Sequence, residues 1–299
     1  MILRSFALFC NCAVSVPLRV TRPRVGHGPI TTLIKARTTM KTQDTEPAPL
    51  GASAPFEEWD FVALSPRHAR SPESNDRRLA ARRKLGALGK ALVRAVASPG
   101  SGHAGLNLET RTSLHNPHAF NGGRVERLWT YVCRGKKEKS RLRKVLGRDL
   151  AKDLDSAYRN AYLCIAIEHR ALEVSLRIHP DAWFDGQNLV NRVKAEGPSG
   201  LLARLNALEG FRLQLHDWKG EWLCGGLTSD RLDEFLRFYT PGEHGLYVER
   251  RWPVADQPGA RGAALADDVP ATLVAEGARL LELYRYVAWS EESDFLFGR

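Results

Sequence analysis

The stretch "YLCIAIEHRALEVSLRIH", residues 162 to 179, constrains the fold more than any other part of the chain. Leu163 to Ile167 are apolar or small at every position, as in a central strand, and Leu172, Val174, Leu176 and Ile178 then alternate with polar residues. Two such strands joined by a short polar turn make a hairpin with one polar face on its second strand. A hairpin of this kind belongs inside a wider, mostly antiparallel sheet.

Around it the apolar period changes repeatedly. Leu85, Leu88, Leu92 and Val96 fall at helical spacing in "SPESNDRRLAARRKLGALGKALVRAVASPGSG", where Ser74 or Asn75 can cap the start and Pro99-Gly100 stops the end. Leu106, Leu108, Thr110 and Thr112 alternate with polar residues and predict a strand, "HNPHAFNGG" a turn, and Val125 to Cys133 the returning partner. A second long helix is expected over 137 to 160, with Leu142, Val145, Leu146, Leu150 and Leu154 on one side, and a third over about 185 to 208, broken at Gly197-Pro198. Further strands are expected at Phe211 to Leu215, Trp222 to Cys224 and 246 to 251, with a helix over 229 to 239 behind Thr228 and a last one after the 253 to 268 loop. The class is therefore α+β, a mostly antiparallel sheet built from hairpins and flanked by about five or six helices. The expected division is a tail and linker over 1 to 55, an α+β domain over 56 to 253, and a linker with a C-terminal helix over 254 to 299 that packs on the domain.

A net charge of +10 invites a nucleic-acid or membrane-surface partner. Its distribution weakens that argument, because residues 1 to 43 hold five Arg (4, 19, 22, 24 and 37), two Lys (35 and 41) and no acid, which is +7 of the total. Met occurs only at 1 and 40, and the composition turns polar and acidic after Met40, so native translation is expected to begin there. The competing expectation is that residues 1 to 39, basic and free of acid, form a transit segment for organellar import. No run of about 18 apolar residues exists, so no transmembrane helix and no membrane partner are expected. Cys133, Cys164 and Cys224 stand singly among apolar residues without C-x-x-C pairing, the pattern of buried thiols in a reducing cytoplasm.

Two strand ends carry the candidate chemistry. Period two puts Glu173, Ser175, Arg177 and His179 on one face of one strand, and Arg212, Gln214 and His216 on one face of another. "VSLRIHPDAW" and "FRLQLHDWKGEW" each run from strand to His, Asp and Trp. If these strands were neighbours in register, His179, Asp181, His216 and Asp217 would form the His/carboxylate set that holds a divalent metal or performs acid-base work. Asp181, with Asp217 and Lys219 as an Asp-x-Lys pair, matches the letters of metal-dependent nucleases, in which carboxylates hold Mg²⁺ and a lysine stabilises phosphate. The plainer reading makes Asp181 and Asp185 helix-start residues behind Pro180, and the polar face an ordinary solvated one with Glu173 and Arg177 paired. His115 and His118 in the 114 to 123 turn offer a His-x-x-His pair, for which nothing nearby supplies further ligands.

Phosphate-loop, dinucleotide, serine-elbow and zinc-helix motifs are all missing, so whether the chain is an enzyme stays open. Binding is the first expectation. Residues 67 to 97 carry nine Lys/Arg against two acids, and 124 to 153 eleven against four, while 154 to 299 hold 16 basic and 22 acidic residues. This polarity predicts a charged groove between the basic helices and the polar sheet face, with Arg177, Arg212, Gln214, His115 and His118 on its surface and a nucleic acid or acidic protein as partner. The alternative is a metal-dependent hydrolase or nuclease using His179, Asp181, His216 and Asp217.

The order "FEEWDFVAL", basic helix, "TRTSLHNPHAFNGGRVERLW", helix and "YLCIAIEHRALEVSLRIH" resembles the uncharacterised bacterial YktB-like domain family over residues 56 to 180. The chain departs from it in the Lys-rich stretch before the hairpin and after Trp183. The resemblance implies an α+β fold and a domain of unknown role, and it carries over no catalytic residue.

Overall fold

The apolar hairpin sits in the middle of the sheet, as its composition requires. The computed structural model describes residues 54–98, 105–113, 123–216, 220, 222–254 and 262–297. Among these, the strands are β1 (Leu108–Thr112), β2 (Arg127–Arg134), β3 (Tyr162–Glu168), β4 (Ala171–Ile178), β5 (Arg212–Leu215), β6 (Trp222–Leu223) and β7 (Leu246–Pro253). They form one sheet in the order β1-β2-β3-β4-β7-β5-β6, antiparallel at every pairing. The first four strands make a meander; β7 then inserts between β4 and β5.

Register follows the apolar pattern. One row crosses six strands, from Val132 through Leu163, Leu176, Val248 and Leu213 to Trp222, and every member is buried. Each side chain taken fully out of water is worth about 1.5–3 kcal/mol, and a slip of one residue would turn the whole row to the wrong face.

The helices are α1 (Glu58–Val62), α2 (Asn75–Ala97), α3 (Lys136–Leu150), α4 (Trp183–Glu196), α5 (Ser199–Asn206), α6 (Ser229–Phe238), α7 (Val269–Arg279) and α8 (Leu281–Val287). Leu85, Leu88, Leu92 and Val96 of α2 are buried, at the spacing that faces a sheet. Leu189, Leu201, Leu205, Phe235, Leu283 and Val287 from α4, α5, α6 and α8 converge on Leu213, Leu246 and Val248. The result is an α+β fold with its main apolar core on one side of an antiparallel sheet.

Three sequence expectations change. The second long helix ends at Leu150 rather than 160: Gly147 kinks it with a left-handed φ of 77°, and residues 151–156 turn back so that Leu154 joins a second apolar cluster with Leu142, Leu146, Phe184 and Trp289. The last helix is two, α7 and α8, meeting at Leu280, and both contribute to the core. The sheet face bearing Glu173 and Ser175 is buried rather than solvated.

α2 lies tight against the sheet at Gly89, where a Cβ would lie 2.3 Å from Thr110 Oγ1 and 2.5 Å from Thr130 Oγ1. Gly to Ala inside a helix normally stabilises by about 1 kcal/mol. Here Gly89→Ala is expected to destabilise by about 1–3 kcal/mol, because the overpacked contact must be relieved by moving helix from strand. Urea unfolding of the two proteins checks this; an increase in stability would contradict the packing.

Candidate functional site

The two histidine-bearing strand ends lie at the same end of the sheet, but β7 separates them. Ile178 pairs with Leu246, and Leu246 with Leu215, so His179 and His216 flank Gly245 across two strand spacings of about 4.8 Å each. The neighbour-strand condition for a shared metal is not met. His179 Nδ1 accepts the Asp181 backbone N–H at 3.1 Å, and His216 Nδ1 accepts the Gly245 N–H at 2.8 Å. Each neutral imidazole therefore carries its proton on Nε2 and uses its lone pair on the backbone. Among the described residues no group of three or more His, Cys, Asp or Glu is placed to hold a metal ion. Asp217, Lys219, His115 and His118 lie outside the described residues.

Asp181 lies beside His179, 3.6 Å from Oδ2 to Nδ1, and the Tyr158 ring meets the imidazole edge-on at 5.7 Å. Burial, with the nearby His216 and Arg159, pushes His179 below its ordinary value in spite of Asp181. These contacts describe a capped turn.

The polar sheet face is a closed charge network. Arg127, Arg177 and Arg251 converge on Glu173, at 3.0, 2.6 and 3.3 Å, and Glu168 and Glu249 complete it. Burial alone would raise Glu173, but Arg127 and Arg177 hold it well below the usual carboxylate range. Burial and the charge of Glu173 push Glu249 the other way. Arg177, which also stacks on Tyr247 at 4.4 Å, is thus committed inside the protein. Arg212 and Gln214 stand opposite Glu249 and Tyr247 across the β5–β7 register, on the same face as Arg177.

The buried ion pair of Arg134 and Asp185 was not predicted. Asp185, assigned from sequence to a helix start, makes no cap to α4; its buried carboxylate takes the Arg134 guanidinium and accepts the backbone N–H groups of Ala161 and Trp289 at 2.7 and 2.8 Å. Arg134 in turn donates to the Trp289 carbonyl at 3.3 Å. One carboxylate thereby joins the end of β2, the start of β3, α4 and the chain after α8.

Beside this joint opens a cavity of about 450 Å³ whose lining includes Arg134, Arg141, Arg192, Arg204 and Arg285 against Glu138, Glu282 and Glu292. Arg192 and Arg204 both lie over the Tyr286 ring, 4.0 and 4.5 Å from its centre. Arg192 is paired with Glu196 at 2.8 Å, whereas Arg204 donates to the Gly200 carbonyl and has no acidic partner among the described residues. Five buried polar atoms of lining residues, Arg134 Nε, Arg204 Nε, Trp289 Nε1 and the hydroxyls of Tyr284 and Tyr286, have no hydrogen-bond partner among the described residues.

Nothing in the sequence marks this cavity. Its arginines come from β2, α3, α4, α5 and α8, far apart in the chain and without a motif, and Asp185 finds its partner 51 residues away. The only legible hint is an acid placed among apolar residues in "AWFDGQNL". No family model matches the chain, and no curated protein is significantly similar to it.

A depressed His179 has a consequence for stability. The neutral form is favoured in the fold, so its contribution is complete above the unfolded value of about 6.5 and is lost as pH falls through the lower folded value. Imidazole proton shifts should show His179 titrating below 6.5, with unfolding stability falling on acidification through that range. A midpoint at or above 6.5 would contradict the capped geometry.

Proposed function

We propose that this protein acts by binding a polyanion, with nucleic acid as the first partner class. The observation that carries this is the exposed basic face of α3. Lys137 and Lys144 lie seven residues apart on one side of the helix, with half-buried Arg141, paired to Glu138 and Glu291, between them; Lys136 adjoins them, and Arg148 follows the Gly147 kink. Lys136, Lys137, Lys144 and Arg148 are exposed and have no acidic partner among the described residues, so their charge is available. Arg141, within the same stripe, also lines the arginine cavity, so the patch runs into it.

The groove reading is thereby relocated. The polar sheet face neutralises itself, and the exposed lysines of α3 stand apart from it, beside the cavity. Arg83, Lys90 and Arg94 of α2 add a second exposed stripe without acidic partners among the described residues. No helix of the described residues is long and apolar enough to cross a membrane. Among the described residues Cys133, Cys164 and Cys224 are free and buried, which supports a reducing, cytoplasmic setting as part of the same proposal. Metal-assisted hydrolysis by His179, Asp181, His216 and Asp217 has less support, because both described imidazoles spend their lone pairs on backbone N–H groups.

Anisotropy with a labelled single-stranded oligonucleotide across a salt series tests the proposal. Affinity should fall linearly with salt on logarithmic axes, and the Lys137→Gln/Lys144→Gln variant should lose about 0.7 of slope per lysine. Preference for an acidic peptide over the oligonucleotide would move the partner to the protein class. Salt-independent binding, or a double variant identical to the parent protein, would overturn it.

A further inference from the structure

Three histidines cap the backbone at the end of the sheet where β7 begins. His179 Nδ1 accepts the Asp181 N–H at 3.1 Å, His216 Nδ1 accepts the Gly245 N–H at 2.8 Å, and His244 Nδ1 accepts the Thr240 N–H at 3.0 Å. Register brings them together: His179 and His216 continue β4 and β5 on either side of Gly245, and His244 is the residue before it. Only an unprotonated ring nitrogen can accept a backbone N–H. All three caps therefore require neutral imidazole, and a second proton on any ring sets donor against donor.

The capped pieces meet each other. The turn capped by His179 leads directly into α4 at Trp183, and the segment from Tyr239 to Gly245 lies on the first turn of that helix. Gly186 sits against Tyr239 Oη and Pro241 with no room for a Cβ, and Gly242 sits against Trp183. We propose that His179, His216 and His244 form an acid-released latch, which holds the 239–245 segment on the start of α4 at neutral pH and frees it when the imidazoles take up protons. The surface uncovered is aromatic, since Tyr239 is buried, stacked on Phe235 at 6.0 Å, and Trp183 is half-buried.

Imidazole is the side chain whose ordinary titration lies within reach of physiological acidification. Around His179 stand Asp181 at 3.6 Å, the edge of the Tyr158 ring, Arg159 and His216. Burial, with His216 and Arg159, disfavours a charged His179 in the closed form, while Asp181 opposes them. Glu243 precedes His244, and Tyr247, whose hydroxyl lies beside Gly245, is stacked on Arg177. A released ring with an ordinary value near 6.5 is about nine-tenths protonated at pH 5.5, so each ring kept neutral by its cap shifts the balance towards release about tenfold there. The latch is independent of the α3 lysines and of what they bind.

Glu243 lies inside the latched segment, so cleavage of the full chain after it by a glutamate-specific protease reads the release. Rates are taken at pH 7.5 and 5.5 relative to a short peptide of the same residues, which removes the pH dependence of the protease. Cleavage should be about tenfold or more faster at pH 5.5. In His179→Asn/His216→Asn/His244→Asn the carboxamide oxygens stand where Nδ1 stood and accept without titrating, so the acceleration should disappear. Equal relative rates at the two pH values in the parent protein, or acceleration that persists in the variant, overturn the proposal. If the variant is already cut rapidly at pH 7.5, the amide protons of Asp181, Thr240 and Gly245 in the parent protein decide. Upfield movement in step with the imidazole signals supports the latch, and no movement, or movement only in the carboxylate range, overturns it.

Discussion

The buried pair of Asp185 and Arg134 is the constraint on which the arrangement of this end of the molecule depends. A carboxylate removed from water is tolerable only when its oxygens are fully used, and Asp185 meets that condition with one guanidinium and two backbone N–H groups. Those donors belong to β2, to the start of β3 and to Trp289, so satisfying one side chain fixes three separate segments against α4. Such a joint contributes less to net stability than to placing its partners, because desolvation offsets much of the attraction. Here the placement has a further result: it holds Arg134 and Trp289 in the cavity wall.

Charge is distributed unevenly between two arginine-rich regions. On the polar sheet face, Arg127, Arg177 and Arg251 meet Glu168, Glu173 and Glu249, and the network closes on itself across β2, β3, β4 and β7. In the cavity, Arg204 and the Nε of Arg134 find no such closure among the described residues. The first region holds strands together. The second joins β2, α3, α4, α5 and α8 around one cavity.

Local pattern carried most of the fold into the sequence. The hairpin of β3 and β4, the period of α2, the Thr228 cap of α6, and the break between α4 and α5 at Gly197-Pro198 all depend on neighbours within a few residues, whereas the expected side-chain cap of α2 by Ser74 or Asn75 does not form. Insertion of β7 between β4 and β5 does not, which is why His179 and His216 could be placed at one end of the sheet but not paired. Asp185 was misassigned for the same reason. An acid beside a proline-led helix start looks like a cap, and only a partner 51 residues away reveals a buried counter-ion. The cavity arginines were illegible because side chains drawn from five elements leave no spacing to read.

A double-mutant cycle on Arg134→Met and Asp185→Leu, followed by denaturant unfolding, tests the central claim most directly. Each single substitution strands a buried charge and should cost about 3–5 kcal/mol. The double substitution should cost about 2–3 kcal/mol less than the sum of the singles, the signature of groups in direct contact. Costs that add within about 0.5 kcal/mol would contradict the account, because they would mean that the two side chains act independently.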